Sequence, residues 1–345
     1  MNSKNIAAGA ALLAGFLMAS TAGAYTYTTC GDVKVVWSSG FSMVQNTFSI
    51  APGSSRESAL NNAIGRWRGV DGMMDMVSKS ATVNSGSSVA ILNFQNDVAV
   101  VASANIGNNN GLTLMLSDGC FFGGDMEWIE ADVMVASNLA PYGPLDETSL
   151  VTSGRKTFIH EFGHAHGLGH SQRFDDMRSA QPRPQVGGTG ETVDVLPDDA
   201  QGGRFLYPSG NSEVNLFATA HRRTSNDKIV TNDTGTFIFC SKGGGSITLN
   251  ATVGNNGTVD VKQTERWWVS TSGTAYSGGT LIGSWANGTF LANKVKTRQV
   301  TFTMPALTPG TYFLYHGVDV LKEVAESRED DNNVREVVKI QVNNC

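Results

Sequence analysis

The sequence predicts an α+β fold over residues 25–208 and an all-β sandwich over residues 233–345, joined by a polar linker at 209–232. Three observations carry this. Helix-like apolar spacing occurs at residues 56–68 and in a stretch ending at His166, with strand-like runs between them. From Phe237 onwards, short β-branched runs are broken by Gly, Asn and Pro, and no helix pattern appears. Over the whole chain, 39 glycines and a charged fraction of only 16% favour turns and short strands, and 345 residues suit two domains.

Residues 1–24 read as an export signal. Lys4 gives a positive start, residues 6–18 an apolar stretch, and Ala22-Gly23-Ala24 a small-residue cleavage pattern, so the mature chain begins at Tyr25. The apolar stretch falls short of the roughly 20 residues that span a bilayer, which implies secretion without membrane insertion. Residues 33–50 form a strand, interrupted by Ala51-Pro52-Gly53-Ser54-Ser55. A helix follows over residues 56–68, with Ser55 or Ser58 as N-cap and Ala59, Leu60, Ala63, Ile64 and Trp67 along one face. Residues 89–94, 98–104 and 112–116 are strand candidates separated by Asn- and Gly-rich turns, and residues 128–135 alternate as a further strand. After a loop containing Pro141 and Pro144, Thr152 or Ser153 caps a second helix through His166.

A net charge of −6 without a basic run gives no reason to expect nucleic acid or an anionic membrane as partner. Four cysteines, an even number in an exported chain, imply pairing. Cys240 and Cys345 lie near the two ends of the β-rich region, where a disulfide would staple its first and last strands.

Residues 160–170 read His-Glu-Phe-Gly-His-Ala-His-Gly-Leu-Gly-His. On a helix His160 and His164 project from one face, so that two imidazole nitrogens reach one zinc ion, while Glu161 stays outside the ligand set. Gly167 is placed to end the helix in a left-handed turn and bring His170 round as third ligand. Three neutral imidazoles leave a fourth position for water, the arrangement of a catalytic zinc. Four of the six histidines fall in this segment, a concentration that a scattered surface distribution does not give. His166 is read as a bystander facing away from the metal, and His221 and His316 as isolated surface or packing residues.

The pattern H-E-x-x-H-x-x-G-x-x-H resembles that of the metzincin clan of zinc metallopeptidases, and its surroundings are most similar to the matrixin branch. Ser171 follows the third histidine, Met177 lies shortly downstream, and Leu196-Pro197-Asp198-Asp199-Ala200-Gln201-Gly202 precedes Leu206-Tyr207 in the matrixin order. The resemblance covers residues 33–208. It implies a twisted mixed sheet with an active-site helix, a polypeptide substrate held antiparallel to an edge strand, and one catalytic zinc ion above a methionine turn at Met177. It also implies a preference loop over residues 183–195. Met177 departs from the family in its neighbours, Asp176 and Arg178, and the chain has too few histidines for the structural zinc of matrixins. Calcium is a further option at Asp125, Glu127, Glu130 and Asp132.

Cys30, followed by Gly31, has two readings. It resembles the inhibitory cysteine of matrixin propeptides, whose thiolate would occupy the open zinc position, and it is also the natural disulfide partner of Cys120. The short N-terminal segment favours the disulfide. In the C-terminal region, residues 247–257, 305–314 and 324–342 resemble an immunoglobulin-like adhesion module of bacterial surface and secreted proteins, which implies a surface or matrix target. Its Glu326–Asn333 stretch reads as a polar turn between strands. The functional expectation is a secreted zinc endopeptidase with Glu161 as general base; the rival is a secreted adhesin or binding protein whose zinc domain is degenerate.

Overall fold

The structure is a computed structural model describing residues 26–30, 33–87, 91, 93–118, 126–139, 154–170, 195, 197–224, 237–271, 279–327 and 333–345. Three short strands begin it, β1 (Thr26–Tyr27), β2 (Thr29–Cys30) and β3 (Val33–Lys34), followed by β4 (Phe41–Asn46) and helix α1 (Ser55–Arg68). Strands β5 (Val77–Asn84), β6 (Asp97–Val101), β7 (Gly111–Ser117) and β8 (Trp128–Ala136) complete a five-stranded sheet of order β5-β4-β6-β8-β7. All its pairs are parallel except β7 against β8. Helix α2 (Gly154–Ala165), strand β9 (Leu168–Gly169) and helix α3 (Pro197–Leu206) follow.

The α1 N-cap is Ser54, not Ser55 or Ser58. Its side chain accepts the Glu57 N–H at 3.2 Å, while Glu57 Oε2 accepts the Gly53 N–H at 2.7 Å, a reciprocal capping arrangement that the Ser-x-x-Glu spacing allows only from position 54. The helix buries the predicted face, Ala59, Leu60, Ala63, Ile64 and Trp67, in one core with Met43, Val98, Val133, Phe158 and Phe162. At about 25 cal/mol per Å² of apolar surface, such burial is the main stabilising term here.

Strand β5 has no counterpart in the sequence reading, because its residues, Val-Ser-Lys-Ser-Ala-Thr-Val-Asn, are largely polar and its far end is exposed. Of the expected strand at 89–94, the described residues include Asn93 and Phe94, and these form a turn. Their N–H groups donate to the buried Glu130 carboxylate at 2.7 and 3.0 Å, and Phe94 has φ +65°. Asp132 Oδ1 likewise accepts the Asp97 N–H at 3.0 Å. Two carboxylates offered for calcium therefore serve the backbone of this turn, and Asp125 lies outside the described residues.

Strands β10 (Leu216–Arg223), β11 (Phe237–Cys240), β12 (Ser246–Asn255), β13 (Val261–Ser270), β14 (Thr280–Phe290), β15 (Lys294–Thr303), β16 (Gly310–Gly317) and β17 (Asn333–Asn343) form two sheets. Their orders are β10-β12-β15 and β11-β17-β16-β13-β14. Alternating inward residues from both, among them Ile247, Leu249, Trp267, Phe302, Leu314 and Ile340, make a second core. Cys240 and Cys345 form the expected disulfide, with Cα atoms 5.7 Å apart. The linker boundary is corrected: Leu216–Arg223 is a strand, hydrogen-bonded to β12, so the sandwich starts inside the segment read as polar connection. No helix among the described residues is long and apolar enough to cross a membrane.

Candidate metal centre

Helix α2 is buried along nearly its whole length, with Phe158, Ile159, Phe162 and Ala165 fully covered. Two indoles anchor it: Trp67 Nε1 donates to the Ile159 carbonyl at 2.9 Å and Trp37 Nε1 to that of Ala165 at 2.8 Å. The second bond supplies a partner to a last-turn carbonyl that the helix itself does not satisfy. Gly167 then has φ +93°, and its N–H donates to the His164 carbonyl at 2.7 Å. A Cβ at this position would stand 3.0 Å from Trp128 Nε1 and 3.5 Å from the Val35 carbonyl oxygen, so the turn is tight as well as left-handed. Beyond it β9 pairs antiparallel with β1, and the Thr28 N–H donates to the Gly167 carbonyl at 2.9 Å. The segment leading to His170 is thus held by the N-terminal strand, a contact no local pattern announces.

The three ligand candidates meet. His170 Nε2 lies 3.2 Å from His160 Nε2 and 3.2 Å from His164 Nε2. His164 Nδ1 faces the Leu168 carbonyl at 2.8 Å, which can only accept, so that nitrogen carries the proton and Nε2 the lone pair. Tetrahedral bonds of about 2.0–2.1 Å put ligand nitrogens roughly 3.3–3.4 Å apart, close to the spacing found. Among the described residues this is the group of His, Cys, Asp and Glu side chains arranged to hold a metal ion, graded from buried His160 to exposed His170. The residues fit a metal.

Glu161 is buried beside them, and its carboxylate lies against the edge strand β7. Thr113 Oγ1 donates to it, 2.8 Å from Oε2 and 3.0 Å from the Glu161 main-chain oxygen. At Gly111 a Cβ would run into the same carboxylate. Neither Thr113 nor Gly111 stands out in the sequence; a lone hydroxyl within an apolar strand is the one trace.

His166 points into the core, stacked on Trp67 with ring centroids 4.7 Å apart and edge-on to Phe41. Its Nδ1 donates to the Phe162 carbonyl at 2.6 Å, and burial pulls its pKa down to about 4, so it stays neutral at pH 7. Tyr207 closes the helix end, its hydroxyl donating to the His166 carbonyl at 2.9 Å. Burial raises the pKa of that phenol. His221 and His316, read as isolated, are both buried in the sandwich with ring centroids 4.9 Å apart, and Trp267 Nε1 donates to His221 Nε2 at 3.0 Å. His316 Nε2 also lies 3.4 Å from Oε2 of the buried Glu265, so the two rings belong to a buried polar cluster and are not isolated. Met177, Cys120 and residues 183–194 lie outside the described residues, so neither the methionine turn nor the Cys30–Cys120 bond is placed.

Comparison with family models matches residues 241–336 to CARDB, so the chain carries a CARDB domain, an immunoglobulin-like β-sandwich, at that position. Among solved structures, the CARDB domain of a Pyrococcus furiosus protein, crystallised with di-metal ions, is 18% identical. That alignment covers 38% of this chain and 89% of the other at a TM-score of 0.26. A Listeria innocua β-glucosidase with glucose is 14% identical over 45% of this chain and 18% of the other, with a TM-score of 0.22. Comparison with curated proteins finds no match.

Proposed function

We propose that the chain is an exported zinc endopeptidase in which His160, His164 and His170 hold one zinc ion and Glu161 is the general base. The observation that carries this reading is the convergence of three imidazole nitrogens within reach of one ion, beside a buried glutamate that is not one of them. When bound, the ion supplies a coordinated water of lowered pKa and a Lewis acid for the scissile carbonyl. Glu161 takes the proton and hands it to the leaving amine, a role that its position outside the ligand set permits. The extended substrate pairs with β7, which is hydrogen-bonded on one side only among the described residues and touches the base through Thr113. The sandwich is accessory and holds the enzyme near a large or surface-bound substrate.

The test is zinc content and casein cleavage by the purified mature chain. Glu161→Ala retains one zinc per chain and loses on the order of a hundredfold or more of its turnover, whereas His164→Ala loses metal and activity together. Full activity in Glu161→Ala sinks the mechanism. The CARDB match favours a second reading, a secreted binding protein, and a zinc-loaded wild type that cleaves nothing would establish it.

A further inference from the structure

The Glu161 side chain is held at two points by one strand, and both points lie on the same face of β7. Gly111 and Thr113 are two residues apart, the strand period, so they face α2 together, paired with Val135 and Val133 of β8. Gly111 leaves the space that the carboxylate fills: a Cβ there would overlap its Oε1, Cδ and Cγ atoms. Thr113 supplies a donor, its hydroxyl 2.8 Å from Oε2 and 3.0 Å from the main-chain oxygen of the same residue. Both oxygens can only accept from a hydroxyl, and Thr113 has one hydrogen to share between them. Sharing ties the tip of Glu161 and its backbone to one atom, which removes the torsional freedom that a glutamate otherwise keeps.

We infer that Thr113 is a positioning residue for Glu161, holding its carboxylate against β7 in the space left by Gly111. The inference rests on the peptidase reading for the role of Glu161, but the contact stands apart from that reading. It also gives β7 a double task, since the strand proposed to take the substrate is the one that orients the base. A peptide pairing with the outer edge of β7 would stiffen the strand that carries Thr113, linking substrate seating to base placement.

Thr113→Val removes the hydroxyl at nearly constant shape, and Thr113→Ser retains it. In the zinc-loaded full chain, Thr113→Val is expected to lose roughly ten- to a hundredfold in kcat, the range for a hydrogen bond to a charged group, with KM within about twofold and zinc content unchanged. Thr113→Ser should restore kcat to within about threefold of wild type. In the metal-free full chain, the carboxyl carbon resonance of Glu161, assigned by its loss in Glu161→Gln, should move in Thr113→Val and return in Thr113→Ser. Unchanged kcat with an unmoved resonance overturns the inference, as does a serine variant no better than the valine one. Should the wild type cleave nothing, the peptidase reading falls while the resonance alone still decides whether Thr113 holds Glu161.

Discussion

At Gly167 the absence of one Cβ serves the helix end and the metal site together. The residue sits at φ +93° against Trp128 and the Val35 carbonyl, so alanine meets both a left-handed backbone and a 3.0 Å contact. Left-handed backbone costs about 1–2 kcal/mol for a non-glycine residue, and the contact adds to it. Gly167→Ala is therefore expected to lower the melting temperature and, because His170 follows three residues later, to weaken zinc binding; calorimetry and chelator competition measure the two. Unchanged zinc affinity would show that β1 and β9 alone set the third ligand. The convergence of His160, His164 and His170 was legible in the sequence because helical geometry fixes side chains four residues apart, and glycine is the natural residue for the turn. Thr113 was not, since its partner lies 48 residues away and the contact exists only once sheet and helix pack. His166 was legible as facing away from the other three histidines, though its seat against Trp67 and Phe41 depends on residues distant in the chain.

Among elements, those with strong internal periodicity were read closely and those defined by their partners were not. Helix α1 and strand β8 match expectation nearly to the residue, because each carries an apolar series at the period of its element, although β8 is buried on both faces. Strand β5 is polar and is recruited by parallel pairing with β4, which side-chain pattern alone does not encode. The two-residue β1 is shorter than any periodicity can reveal, yet it pairs Thr26 with Gly169 and Tyr27 with Leu168, one residue short of His170. A mature chain beginning at Thr29 lacks this pair. Loss of groups that orient a ligand typically costs about 10–100-fold in metal affinity, and a weakening near the lower figure is expected, because Gly167 and α2 remain. Competition with a chromophoric chelator checks it; wild-type affinity would mean that β1 only covers the site.

For the whole molecule, part of the segment read as a linker is a strand of the sandwich, and the residues before it pack against that sandwich. Strand β10 already belongs to the sandwich, and the Leu216 N–H donates to Glu326 of the stretch read as a polar turn. Side chains from both parts interlock: Arg204 donates to the carbonyls of Asp71 and Asn256, Asn256 Nδ2 to the Val195 carbonyl at 2.6 Å, and Ser327 Oγ to Asp71 Oδ2 at 2.6 Å. These polar contacts left no local signature, since each pairs residues far apart in the chain. Asp71 is the group through which pH acts on this interface. Burial, with the neighbouring Glu213 carboxyl, raises its pKa to about 7, against the lowering effects of Ser327 and Arg204. Burial also lowers the pKa of Arg204 to about 10, so it keeps its charge across the acidic and neutral range. An unfolded or undocked Asp71 titrates near its ordinary 3.8. Between about pH 4 and 7 the docked form therefore binds the extra proton, and its stability falls as pH rises through that window, then levels off. The chain is expected to melt roughly 1–2 °C higher at pH 5 than at pH 8 from this group, a change of about 1 kcal/mol for a protein of this size, since solvent and the Arg204 charge moderate the effect. Asp71→Asn keeps the shape and stays uncharged, so it should flatten the difference and leave zinc binding untouched. A pH dependence that survives in Asp71→Asn would place the titrating group elsewhere and leave the interface as packing alone.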